Sequence, residues 1–180
     1  MFKTQIAGHL KSLRKKKGLS LDAAAALTGV SKAMLGQIER QESSPTIATL
    51  WKISSGLNTS FSAFFANQAQ FSAATASFPD DPKMQMKTLF PYQADVGFEM
   101  FEITLTDHHQ QNSSAHGNGV IEHIHVLQGE LNLYFDGQWH TVKQGQSRRF
   151  FADQPHGYQA ISPTVIFQNI VCYPNDALFS

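Results

Sequence analysis

The chain has 180 residues, a length that suits one compact domain or two small ones, and 42% of them are hydrophobic, enough to build a packed core. Its formal net charge is zero, but residues 1–66 carry nine Lys and Arg against three Asp and Glu, whereas residues 67–180 carry five against eleven. Two halves of opposite sign imply two domains with different partners, and the basic half has the charge of a polyanion binder. A single cysteine, Cys172, excludes an intrachain disulfide and agrees with a reducing cytosol. The opening Met1-Phe2-Lys3-Thr4-Gln5-Ile6 lacks the apolar run of a signal peptide. Residues 53–79 are uncharged but too rich in Ser, Asn, Gln and Thr to cross a bilayer. The chain is therefore expected to be soluble and cytoplasmic, with no membrane partner.

The first 66 residues read as helical. Ile6, Leu10 and Leu13 mark one face of a first helix, which Lys15-Lys16-Lys17-Gly18 should end. Ser20 can cap a second helix, Leu21 to Thr28, closed by Gly29. Ser31 can cap a third, running to about Arg40. Ser44-Pro45-Thr46 opens a fourth with Ile47, Leu50 and Ile53 inward, and Phe61, Phe64 and Phe65 suit a short fifth. Residues 67–85 are small, polar and punctuated by Pro79 and Pro82, the composition of a linker. From residue 86 onward the pattern is β: runs at Phe98–Leu105, Ile121–Leu127, Leu131–Phe135, Trp139–Val142, Ser147–Phe151 and Val165–Tyr173 alternate with turn signals, among them Gln128-Gly129, Asp136-Gly137 and Gln144-Gly145. The expected architecture is an α + β multidomain chain: helices over 1–66, a linker over 67–85, and an antiparallel sandwich or small barrel over 86–180.

Helices two and three, joined through Gly29 and Ser31, have the tight connection of a helix-turn-helix. With Leu35 and Ile38 inward, Lys32, Ala33, Gly36, Gln37 and Arg40 should face outward. Lys32 can reach guanine or phosphate, and Gln37 can pair with adenine. Ser31, Ser43 and Ser44 suit phosphate contacts, which position without specifying. The run Gly29-Val30-Ser31-Lys32-Ala33-Met34-Leu35-Gly36-Gln37-Ile38-Glu39-Arg40, with Ser44-Pro45 and Thr49-Leu50-Trp51-Lys52-Ile53, resembles the phage-repressor (XRE) helix-turn-helix family over about 55 residues. That resemblance implies a five-helix domain, a double-stranded DNA operator as partner, and a buried ion pair between Arg14 and Glu39. Leu21 departs from it, standing where some members carry a polar phosphate contact.

A second set lies in the β region. His116-x-Asn118-x-x-x-Glu122, followed by Gly129, Gly145 and Pro155-His156, resembles the two cupin motifs over about 85 residues. The resemblance implies a double-stranded β-helix barrel with His116, Glu122 and His156 at the positions of divalent-metal ligands. Asn118 stands where a second histidine is usual, and Ala160 where an Asn is frequent. Imidazoles and a carboxylate suit zinc first, or nickel or iron, and three protein ligands leave a position open. The same residues could equally serve by hydrogen bonding inside a polar barrel. His123 and His125 share one strand face opposite to Glu122 and are expected outside, while His9, His108, His109 and His140 read as surface residues. Arg148 and Arg149 are strand neighbours, so one should face the cavity, to meet either a ligand carboxylate or a domain acid; Asn118 is a further ligand-contact candidate.

Taken together, the two resemblances imply a transcriptional regulator, not an enzyme, that binds operator DNA as a homodimer and answers to a small-molecule effector, such as a carboxylate metabolite, in the barrel. A cupin metalloenzyme of the dioxygenase kind with an appended DNA-binding domain, and a barrel that only dimerises, are the alternatives.

Overall fold

The computed structural model describes residues 2–64, 75–77, 81–93 and 95–174. Four α-helices come first: α1 (Phe2–Lys16), α2 (Leu21–Thr28), α3 (Lys32–Glu39) and α4 (Ile47–Gly56). Each boundary has a local cause. Gly18 and Gly29 take positive φ, 67° and 64°, just beyond α1 and α2. The hydroxyls of Ser20, Ser31 and Thr46 accept from the backbone N–H of Ala23, Met34 and Thr49, each capping the helix that follows. The fifth helix expected at Phe61–Phe65 is instead one 3₁₀ turn, Phe61–Phe64, and Phe65 lies outside the described residues. Its two anchors, Phe61 and Phe64, are both fully buried. Their spacing of three matches the three-residue period of a 3₁₀ helix, and a single turn gains little from helix propagation.

Ten strands follow: β1 (Thr75–Ser77), β2 (Met84–Gln93), β3 (Phe98–Thr106), β4 (Gln110–Ser113), β5 (Ile121–Gln128), β6 (Glu130–Phe135), β7 (Gln138–Lys143), β8 (Ser147–Phe151), β9 (His156–Ala160) and β10 (Thr164–Cys172). They form two sheets with antiparallel pairing, ordered β1-β2-β3-β10-β5-β8 and β4-β9-β6-β7. The expected barrel is thus not closed among the described residues. The three X-Gly turns differ in what they join. Asp136-Gly137, both at positive φ, joins β6 to β7 as a true hairpin. Gln128-Gly129 and Gln144-Gly145 carry the chain from one sheet to the other, since β6 pairs with β7 and β9, and β8 with β5. Of the span expected as a linker, 67–74 and 78–80 lie outside the described residues, while β1 and the first two residues of β2 fall inside it. Burial alternates along β3, β5 and β10, so Phe101, Ile103 and Leu105, Ile124 and Val126, and Val165, Phe167 and Val171 fill the space between the sheets.

Candidate DNA-reading face and candidate metal centre

Helix α3 shows which of the expected contacts are available. Lys32, Ala33, Gln37 and Arg40 are exposed, as is Ser31, although its hydroxyl is already engaged at the helix cap. Ser43 is half-buried, its hydroxyl 3.8 Å from Met34 Sδ. Two expectations are corrected. Ser44 is buried, because it lies where the chain turns into α4, and Gly36 is buried under Arg40, whose Nη1 would stand 3.0 Å from an added Cβ. Neither Lys32 nor Arg40, which caps the end of α3, is free: Lys32 Nζ lies 2.8 Å from Asp22 Oδ2, and the Arg40 guanidinium donates twice to the Glu42 carboxylate at 2.8 Å. Beneath this face Arg14 donates to both oxygens of Glu39 at 2.6 and 2.8 Å and to the Leu19 carbonyl at 2.8 Å, the pair that the family resemblance implied.

In the β domain, β5, β9 and the segment before β5 bring His116, Glu122 and His156 together, with donor atoms within 4.8 Å of one another and every side chain buried. His116 Nε2 lies 3.0 Å and His156 Nε2 3.6 Å from Glu122 Oε1. The other carboxylate oxygen accepts from Tyr158 Oη and, at 3.0 Å, from Asn169 Nδ2. Burial disfavours the Glu122 carboxylate, yet the charges of His156 and His116 and the hydrogen bonds from His116 and Tyr158 outweigh it and hold its pKa at about 2. Burial also pushes the His156 imidazole below its ordinary value, against the pull of Glu122. Glu122 thus stands as the carboxylate that a metal ligand must be. His156 Nδ1 lies 2.9 Å from the Gln154 carbonyl, which fixes the tautomer and leaves Nε2 buried without a hydrogen-bond partner among the described residues. A buried orphan nitrogen facing a carboxylate is what a divalent cation would satisfy, so these residues fit one.

The expected ligand-contact residues are elsewhere. Asn118 is exposed in the segment before β5 and does not join the cluster. Arg148 and Arg149 are both exposed. They line a groove of about 430 Å³ that they share with His123, His125 and Gln168 rather than the interior, and neither makes an ion pair among the described residues. Arg148 shares the parity of buried Phe150 and pairs with buried Ile124 of β5, yet its own side chain stays exposed. His9, His109 and His140, expected at the surface, are half-buried; His9 packs edge-on against Phe64 and His140 stacks on Phe135.

Residues 10–64 match the family described as helix-turn-helix, and residues 102–168 the family described as cupin domain. A crystal structure of an HTH_3 family transcriptional regulator from Vibrio cholerae is 67% identical, covers 97% of this chain and 98% of its own, and superposes with a TM-score of 0.93. The HTH-type transcriptional regulator SutR of Escherichia coli K12 is 46% identical over 92% of this chain and 93% of its own length. The chain belongs to the HTH-type transcriptional regulators. The C-terminal half of the regulator is also similar to the cupin domain of an XRE family regulator from Enterobacter cloacae, 39% identical over 51% of this chain and 98% of that one, with a TM-score of 0.50. No described helix of the regulator is long and apolar enough to cross a membrane.

Four residues of the regulator that sequence reasoning passed over now matter. Tyr158 and Asn169 hold Glu122, and Glu99 and Trp51 join the two domains. Fully buried, Glu99 accepts from Phe61 N at 3.1 Å, Ser62 N at 2.8 Å and Tyr173 Oη, while Ser62 Oγ accepts from Tyr92 N at 2.9 Å. Burial raises the Glu99 carboxyl above its ordinary value despite these donors. The signal for Glu99 and Asn169 was present: each shares strand parity with apolar core residues, so a polar side chain was bound for the interior.

Proposed function

We propose that this regulator reads double-stranded operator DNA with the exposed edge of α3 as a homodimer, and that its β domain senses a small-molecule effector at a divalent-cation centre of His116, Glu122 and His156. The observation that carries the sensor reading is the buried donor set with His156 Nε2 lacking a partner. Two imidazoles and one carboxylate suit zinc first. Such an ion supplies an open coordination position, which a carboxylate-bearing metabolite can take. On the DNA side, Gln37 and Ala33 occupy the open edge for base contact, Lys32 and Arg40 the flanks for phosphate, with Ser31 capping the helix and Ser43 in the turn beyond it.

The homodimer follows from the small area one helix-turn-helix buries and from the pairing of half-sites. Phe90 and Phe151, both more than half exposed on the outer face of the larger sheet, support a contact there. The division into 1–66, 67–85 and 86–180 belongs to this proposal, with the helical unit on DNA and the β unit as sensor rather than enzyme, acting in the cytoplasm where the DNA lies. Elemental analysis with native mass spectrometry tests the centre. One divalent ion per chain is expected, lost in a His116→Ala, His156→Ala double variant that still binds operator. Metal-free protein after purification and zinc incubation refutes the reading.

A further inference from the structure

The centre lies against the helical domain. The indole of Trp51, on α4, stacks on the His116 imidazole with centroids 4.3 Å apart and planes 24° apart. Its other neighbours are Phe61, stacked at 4.1 Å and 15°, and Phe101 of β3, edge-on at 6.4 Å. His116 has only 3% of its side chain exposed; its Nε2 meets Glu122, its ring packs edge-on against His156 at 4.7 Å, and its buried Nδ1 has no hydrogen-bond partner among the described residues. Among the described residues no second hydrogen bond at Nδ1, of the kind His156 makes to the Gln154 carbonyl, holds this ring, and the indole face lies against it instead. A few residues away, Glu99 draws the Phe61–Phe64 turn onto the β domain through two backbone N–H groups.

We infer that the cation centre is a two-domain site: Trp51, from the DNA-binding domain, positions His116 for coordination, so that filling the centre and docking the helical domain are one coupled equilibrium. The inference rests on the metal reading proposed above and adds its regulation. The physical ground is reciprocity. If docking improves the geometry of a ligand, the ligated ion must strengthen docking by the same factor. An imidazole bound to a dication is also more electropositive, and such a ring gains against the face of an indole. Helix α4 packs against α2, with Leu27 O only 2.4 Å from where a Cβ on Gly56 would lie, so a change in how Trp51 is held reaches the helix-turn-helix through tightly packed backbone.

The test uses the full chain, zinc as the probe, and a Trp139→Phe background in which Trp51 is the sole tryptophan. Zinc is expected to change Trp51 emission, and a His116→Ala variant to abolish that response. In the same background, Trp51→Leu should bind zinc about tenfold more weakly by chelator competition, within the range seen when an outer partner of a ligand histidine is removed. Glu99→Gln touches neither a metal ligand nor Trp51, and should weaken zinc in the same direction by loosening docking; it decides the matter if Trp51→Leu fails to fold. Folded variants that bind zinc like the background, with emission unmoved by zinc, overturn the coupling and leave the metal centre standing. A background protein that binds no zinc at all overturns both.

Discussion

Arg14→Ala is the sharpest structural test of the helical domain. The substitution removes two charge-assisted hydrogen bonds to Glu39 and one to the Leu19 carbonyl, and leaves the Glu39 carboxylate, its side chain 7% exposed, with no counter-charge from the arginine. Stranding one partner of a buried pair costs about 3–5 kcal/mol, most of it from the group left behind rather than from the lost attraction. In a chain of this size such a loss lowers the melting temperature by roughly 6–20 °C. The assay is thermal and urea unfolding followed by helical circular dichroism, with Arg14→Ala, Glu39→Gln and the double variant completing a cycle. The double variant should be less destabilised than the sum of the singles, because it leaves no buried charge unpaired, only the Leu19 carbonyl. If Arg14→Ala unfolds within about 1 kcal/mol of the parent chain, the pair behaves as a surface ion pair and the reasoning from burial is wrong.

Four further outcomes are expected. Gln37→Ala should cost operator binding about 1–3 kcal/mol and relax preference at one base pair, read by selection from a random-sequence pool; an unchanged preference would place the reading edge elsewhere on α3. Asp22→Asn should barely change stability, since both members of its pair with Lys32 are well exposed, but should steepen the salt dependence of DNA binding by freeing a cation. Gly129→Ala should destabilise by more than about 1 kcal/mol, because φ is 80° and the new Cβ would meet Thr164 O at 2.6 Å, whereas Gly137→Ala, with similar φ and open space, should cost less. Burial lowers the His9 pKa, so the fold favours its neutral form; that contribution is intact above pH 6.5 and is lost as pH falls through the depressed folded value, and His9→Gln should flatten this part of the acid melting profile.

Much of this was legible in the chain. Helices α2 and α3 were fixed by Ser20, Gly29 and Ser31, whose side chains or backbone do locally what their types allow. Strands β3, β5, β6 and β10 came within a residue of their expected bounds because alternation and glycine turns are local signals. The partner of each strand was not legible: Gln144-Gly145 looks like a hairpin turn, and only the pairing of β8 with β5 shows that it crosses between sheets. Strand β4, Gln110–Ser113, is polar on both faces, and that hid it. His116, Glu122 and His156 could be named from motif spacing, but Asn118, one turn of loop away, could not be placed by the same spacing, since a loop has no fixed parity. Trp51 lay hidden in the core stripe of α4, where a large aromatic reads as packing and nothing marks what it packs against.

On the DNA face proposed above, Lys32 and Arg40 already have Asp22 and Glu42 beside them, and under that proposal this would bear on how the regulator finds its site. A genome offers an overwhelming excess of irrelevant phosphates, each one a competitor for every copy of the protein. Two carboxylates carried on the reading face occupy the cations until something better displaces them, so an arbitrary stretch of backbone gains little by replacing them. Only an operator, where the proposed base contact of Gln37 accompanies the same exchange, would tip the balance. The acids would thereby shorten the stops along the way, and trade some grip on every sequence for a faster search among them.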